Sequence, residues 1–222
     1  MSEEIIKATQ QSEAVLFDFD GVILDSEWPI FQTWRELFKR EGQELELELY
    51  VKCIGSDFDT WSPQTYLEEL TGRSYDWDAE NPKRQVILES DLENSPPMEG
   101  VLDLLEALRE KKTAVVSSST HHWVDRWIEK LSLTPYFQTL VCRGDAPRIK
   151  PAPDLYLEAA RRLDVEPAKC LVIEDSMNGM ISAHEAGMKV LIVPNRLTSI
   201  LDFAAADLQT NSLARCVPSS GG

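Results

Sequence analysis

Val15-Leu16-Phe17-Asp18-Phe19-Asp20-Gly21-Val22 carries three apolar residues into two carboxylates one residue apart, with a glycine behind them. A short apolar run that closes on acids and glycine reads as a buried strand whose C-terminal end opens into a site. Pleat alternation puts Asp18 and Asp20 on the same side if strand geometry lasts that far. Two neighbouring carboxylates repel and need a cation or a shared proton between them, which points to a metal-assisted reaction site. Asp-x-Asp-Gly also occurs in ordinary turns and in calcium loops. A calcium loop needs further oxygen ligands after the glycine and a closing glutamate; Val22, Ile23 and Leu24 stand there instead.

After this strand, Asp25-Ser26-Glu27-Trp28-Pro29 reads as a helix start, with Pro29 suited to the first turn. Ile30, Phe31, Trp34, Leu37 and Phe38 recur at helical spacing, and Gly42 is placed to end the helix. Helical patterns follow at 45–52, 64–70 and 79–93, with no strand between Trp28 and about Asn94. The four tryptophans of this stretch, Trp28, Trp34, Trp61 and Trp77, fit the core of a small helical bundle. At Ser95-Pro96-Pro97 the character changes, and apolar runs alternate with helical patterns. The runs are Thr113–Val116, Thr139–Cys142, Cys170–Ile173 and Lys189–Val193, with helices at 99–110, 122–131, 153–163 and 177–186. Such alternation predicts an α/β fold: a Rossmann-like parallel sheet with helices on both faces. The opening strand belongs to that sheet, so the helical block is an insertion. The expected division is a core domain of residues 1–27 and 95–222 with a cap domain of residues 28–94. Residues 1–13 are expected to fray, and Pro218–Gly222 to form a flexible tail.

Length and composition bound the function. The chain has 222 residues, 43% hydrophobic and 27% charged, as in a soluble globular protein. Its net charge of −16 argues against nucleic acid, whose phosphates need a basic surface. The acidic start Met1-Ser2-Glu3-Glu4, with no long apolar run after it, leads us to expect no signal peptide, no membrane span and a cytoplasmic location. Cys53, Cys142, Cys170 and Cys216 are scattered without a C-x-x-C pair and fit reduced, mostly buried thiols. A monomer is the expected state.

In an open parallel sheet, ligands bind beyond the carboxyl ends of the strands. The first run ends in Asp18 and Asp20, Thr113–Val116 in Ser117-Ser118-Ser119-Thr120, and Cys170–Ile173 in Glu174-Asp175-Ser176. Lys150-Pro151-Ala152-Pro153-Asp154 lies between the last two. Their convergence on one edge suggests a chemistry. Asp18 and Asp175, with Glu174, would hold a hard cation, Mg²⁺. Asp18 is also the candidate nucleophile and Asp20 the acid and base. Ser117 and nearby N–H groups would bind phosphoryl oxygens, and Lys150 would supply fixed positive charge.

Four segments resemble the motifs of the haloacid dehalogenase superfamily: Phe17-Asp18-Phe19-Asp20-Gly21-Val22, Val116-Ser117-Ser118-Ser119, Lys150-Pro151-Ala152-Pro153-Asp154 and Glu174-Asp175-Ser176-Met177-Asn178-Gly179. The inserted helical block is similar to the cap of its β-phosphoglucomutase-like branch. The resemblance implies a Mg²⁺-dependent phosphatase of small phosphorylated metabolites, working through an aspartyl phosphate. It makes Asp18 the nucleophile and Asp20 the acid/base. It has Ser117, Ser118 and Lys150 hold phosphate, while Asp18, Glu174, Asp175 and the backbone carbonyl of Asp20 bind metal. Asp25-Ser26-Glu27 is similar to an acidic segment that many phosphatases of this branch carry at the cap entrance, where Glu27 either faces the substrate or anchors the hinge; Glu27 and Gly55 are the candidate substrate contacts. A histidine that phosphoglucomutases carry twelve positions after the nucleophile is Ile30 here, and Ser56-Asp57-Phe58 after Gly55 lacks their arginine. A phosphomutase is therefore the alternative and a receiver-like signalling domain the remote one.

Overall fold

A computed structural model describes residues 2–55 and 61–217. Six strands form its centre: β1 (Ala14–Phe17), β2 (Lys112–Thr120), β3 (Thr139–Arg143), β4 (Cys170–Glu174), β5 (Lys189–Ile192) and β6 (Leu208–Gln209). They lie in the order β3-β2-β1-β4-β5-β6 and every pair is parallel. β1 is buried along its whole length, as a central parallel strand with both faces covered must be. Odd and even residues of the strands feed separate cores. Val15, Phe17, Val115, Leu171 and Ile173 pack under α1 (Ser2–Gln11), α6 (Val101–Ala107) and α7 (His121–Lys130). Leu16, Ala114, Val116, Val172 and Val190 pack under α8 (Asp154–Leu163) and α9 (Met177–Glu185).

The stretch between β1 and α6 is helical, as its apolar spacing predicts: α2 (Glu27–Arg40), α3 (Leu47–Tyr50), α4 (Pro63–Thr71) and α5 (Trp77–Leu92). Phe31, Trp34, Leu37, Phe38, Tyr50 and Leu67 form its own core, with Trp28, Trp61 and Trp77 partly buried around it. Leu88 and Leu92, at the far end of α5, instead join the core beneath the sheet and seat the helical block on it.

One expectation needs correction. Residues 1–13 do not fray: α1 forms there, because Ile5 is buried against the sheet and a turn at Leu213–Cys216 packs beside it. β2 runs beyond the apolar run to Thr120, so the serine cluster forms its last residues. The two-residue edge strand β6 has no apolar run to announce it. Gly42 ends α2 at φ 73°, as expected. Ser56–Phe58 and the tail Pro218–Gly222 lie outside the described residues. Among the described residues no helix is long and apolar enough to cross a membrane. All four cysteines are buried.

Candidate active site

Register brings the strand ends together. Phe17 pairs with Val115 on one side and Ile173 on the other, so the next residues, Asp18, Val116 and Glu174, stand abreast. Asp18, Glu174 and Asp175 each present a carboxylate oxygen within 4.8 Å of the others, and all three are buried. Lys150 stands behind them, buried to 1% exposure. Its ammonium donates to Asp18, to Glu174 Oε1 at 2.6 Å and to the Val116 carbonyl at 2.8 Å.

One ammonium does not balance three acids. Burial raises the Asp18 carboxyl to about 8, against the pull of Lys150 and with a further push from Glu174. Burial raises Asp175 as well, reinforced by Glu174 and Asp18. Burial alone would lower Lys150, but Asp18 and Glu174 overrule it and hold the ammonium above its ordinary range. The cluster is thus short of positive charge by about the amount a divalent cation carries, and its all-oxygen donor set suits a hard one. Glu174 is the most occupied member. Oε1 accepts from Lys150 and from the Tyr156 hydroxyl at 2.9 Å. Oε2 accepts from the N–H groups of Asp175 and Ser176 and from the Ser176 hydroxyl.

Asp20 takes a different course. β1 ends at Phe17, and a tight turn follows in which the Ile23 and Leu24 N–H groups donate to the Phe19 carbonyl. Gly21 sits in it at φ 82°, and a Cβ there would fall 2.5 Å from both Asn195 Nδ2 and Asp175 Oδ2. The turn carries the Asp20 carboxylate away from the acid cluster to three donors: Ser26 Oγ at 2.6 Å, Ser119 Oγ at 2.7 Å and Trp123 Nε1 at 2.9 Å. Ser26, which precedes α2, gives its hydroxyl to Asp20 rather than capping the helix. Two carboxylates two residues apart thus acquire opposite surroundings, one beside a fixed ammonium and one held by neutral donors.

Both face a cavity of about 460 Å³ between the sheet edge and the helical block. Asp18, Asp20, Ser117, Ser118, Ser119 and Asp175 line its floor; Thr120, His122, Trp123 and Arg143 line its mouth. Glu27, Ile30, Tyr50, Ile54, Gly55, Gln85, Leu88 and Glu89 line its roof. Lys150 and Glu174 are set behind this lining. Ser117 Oγ accepts from the Ser119 N–H at 3.0 Å, whereas Ser118 Oγ donates to the Gly55 carbonyl at 3.0 Å. Asn178 donates to the neighbouring Ile54 carbonyl at 2.7 Å. Glu27 is buried, and its carboxyl is raised well above the usual range by burial and then by Asp20, Asp18 and Glu174.

Asn195, Ser119 and Trp123 complete the site beyond the expected residues. Asn195 donates to Asp175 Oδ2 at 2.5 Å. It follows β5, so asking what stands after the fifth apolar run, as after the others, would have found it. Ser119 lay inside the quoted serine cluster. No sequence signal marks Trp123, whose partner is 103 positions away.

The haloacid dehalogenase-like hydrolase family model matches residues 15–193, and the chain belongs to that family. Among curated relatives, the Bacillus subtilis protein YhcW, for which a phosphatase activity is inferred, is 36% identical over 204 residues, covering 91% of this chain and 92% of its own. The fructose-1-phosphate phosphatase YqaB of Escherichia coli is 28% identical over 180 residues, covering 81% and 95%. In three dimensions, the β-phosphoglucomutase of Clostridium difficile has the same fold, with a TM-score of 0.72 at 22% identity over 92% of each chain.

Proposed function

We propose that this chain is a Mg²⁺-dependent phosphatase that hydrolyses a small phosphorylated carbohydrate or polyol. The observation that carries the reading is the opposed environment of Asp18 and Asp20 on one cavity wall. Family membership and relatives named as phosphatases, one of a sugar phosphate, support it. Residues 28–94 act as a cap domain over a core of residues 1–27 and 95–222.

The Asp18 carboxylate attacks phosphorus while the ester P–O bond breaks, and the departing oxygen takes a proton from the Asp20 carboxyl. Asp20, now a carboxylate, removes a proton from water. The resulting hydroxide attacks the aspartyl phosphate, releasing inorganic phosphate and restoring Asp18. Ser26, Ser119 and Trp123 hold Asp20 on the leaving-group side in both steps. Ser117 and adjacent N–H groups bind the phosphoryl oxygens, and Lys150 favours the ionised form of Asp18 against its burial and holds the carboxylate in line. Asp18 and Asp175, with Glu174 behind them and the Asp20 carbonyl alongside, would hold the Mg²⁺. When bound, it supplies positive charge to the transferring phosphoryl group.

Phosphate release from a phosphomonoester panel, with and without Mg²⁺, tests the reading. Asp18→Asn should lose about three orders of magnitude or more, the scale on which nucleophiles act; retention of metal-dependent activity would end the proposal. Asp20→Asn should lose about 10²–10⁴-fold, as for a general acid. The same assay separates hydrolysis from mutase chemistry, because a mutase returns an isomer of a sugar 1-phosphate. Ile30, an apolar residue on the cavity wall, offers no group to assist that return.

A further inference from the structure

The two halves of the cavity differ in what they can neutralise. The floor has the acid cluster suited to a cation, with Lys150 set behind it. The roof, where a leaving group must lie, offers Glu27, Tyr50, Gln85 and Glu89. Glu27 is nine-tenths buried, lines the cavity and has no hydrogen-bond or ion-pair partner among the described residues. Glu89 accepts from Gln85 at 2.9 Å and pairs with Arg126 at 2.7 Å.

No lysine or arginine of the described helical block lines the space. Arg84, one residue before Gln85, lies with its guanidinium 3.2 Å from the centre of the Trp34 ring and donates to Thr33 and Asn81. Residues 56–60 read Ser-Asp-Phe-Asp-Thr and contain no base. At the mouth, Arg143 is exposed and its Nε donates to the Ser118 carbonyl at 3.0 Å.

We infer that the site selects phosphomonoesters whose leaving group is an uncharged polyol, with Glu27 bonded to its hydroxyls, and rejects those carrying a second anion. The inference rests on the phosphatase reading above. A second carboxylate or phosphate entering this space would give up hydration and find no fixed cation on the roof to replace it. Hydroxyls find the opposite: a buried carboxyl, a phenol and an amide, with the carboxyl left without a partner when they are missing.

The test compares kcat/KM in saturating Mg²⁺ for sorbitol 6-phosphate, for 6-phosphogluconate, which ends the same six-carbon chain in a carboxylate, and for p-nitrophenyl phosphate, which has no hydroxyls. Sorbitol 6-phosphate should exceed 6-phosphogluconate by about tenfold or more, and a smaller ratio overturns the inference. Gln85→Arg, which adds a cation on an exposed helix position, should lower that ratio at least about threefold by Coulombic attraction; an unmoved ratio overturns it. Glu27→Ala should lower sorbitol 6-phosphate relative to p-nitrophenyl phosphate by about tenfold, and an equal fall in both removes Glu27 from hydroxyl recognition. Ratios do not depend on the active fraction, and if Glu27→Ala does not fold, the wild-type and Gln85→Arg ratios decide. Turnover of p-nitrophenyl phosphate alone also overturns the inference. Failure to hydrolyse any of the three removes the phosphatase reading itself.

Discussion

The floor and the roof of the cavity are built on opposite rules. On the floor, Asp18, Glu174 and Asp175 sit at strand ends, and each accepts from at least one buried donor. The roof is made of helix faces and the turn at Ile54–Gly55, where Leu88, Ile54 and Tyr50 supply shape and Glu27 is buried without a bonded partner among the described residues. Positions on the floor are dictated by sheet register and cannot drift without unpairing a charge. Positions on the roof are carried by side chains that can be exchanged while the sheet stays intact. The floor is therefore fixed by the backbone frame, and the roof is a surface of exchangeable side chains.

Lys150→Met is the strongest way to break this contrast. It strands Asp18 and Glu174 without their shared ammonium, and removing one partner of a buried pair costs about 3–5 kcal/mol. Urea unfolding at neutral pH without Mg²⁺ should show that loss; a change below about 1 kcal/mol would mean the floor is not held by its charges. Next come the two bonds that tie roof to floor. Ser118→Ala and Asn178→Ala each delete one hydrogen bond to a roof carbonyl, worth about 0.5–1.5 kcal/mol. Hydrogen exchange around residues 54–55 should quicken in both variants while the central strands stay protected. Equal exchange in variants and wild type would show that these bonds hold nothing.

A smaller effect concerns His121, at the start of α7. Its ring bonds Asp125 at 3.0 Å and Asp145 at 2.8 Å. The bond to Asp125 raises its pKa above 6.5, burial opposes this, and Asp145 adds to it. The protonated ring therefore favours the folded state. That contribution is complete below about 6.5 and disappears as pH rises through the folded value. The group is well exposed, so screening keeps the effect small. The thermal midpoint of the wild type should fall across this window more than that of His121→Gln. Parallel curves would refute the assignment.

The frame was legible in the sequence for the reason the floor is rigid. Asp18, Ser117 and Glu174 each follow directly on an apolar run, and parallel strands deliver such residues to one edge. What escaped depends on partners remote in the chain. Helix α1 has too few apolar residues to declare itself and is stabilised by a turn some 200 positions later, against which Ile5 and Ala8 close the core. Ser118 stands in the serine cluster, and only the fold shows that its hydroxyl donates to the Gly55 carbonyl. Asp20 stands two residues after Asp18, and only the turn at Gly21 shows that its carboxylate goes to Ser26, Ser119 and Trp123.

Ser118 and Asn178 grip the carbonyls of Gly55 and Ile54, which are backbone atoms that every residue possesses. Gly55 itself is constrained, because a Cβ there would meet Ser176 Oγ at 2.6 Å. These two bonds are therefore indifferent to the side chains elsewhere in the helical block. A roof carrying other side chains would still offer the same two carbonyl atoms to Ser118 and Asn178.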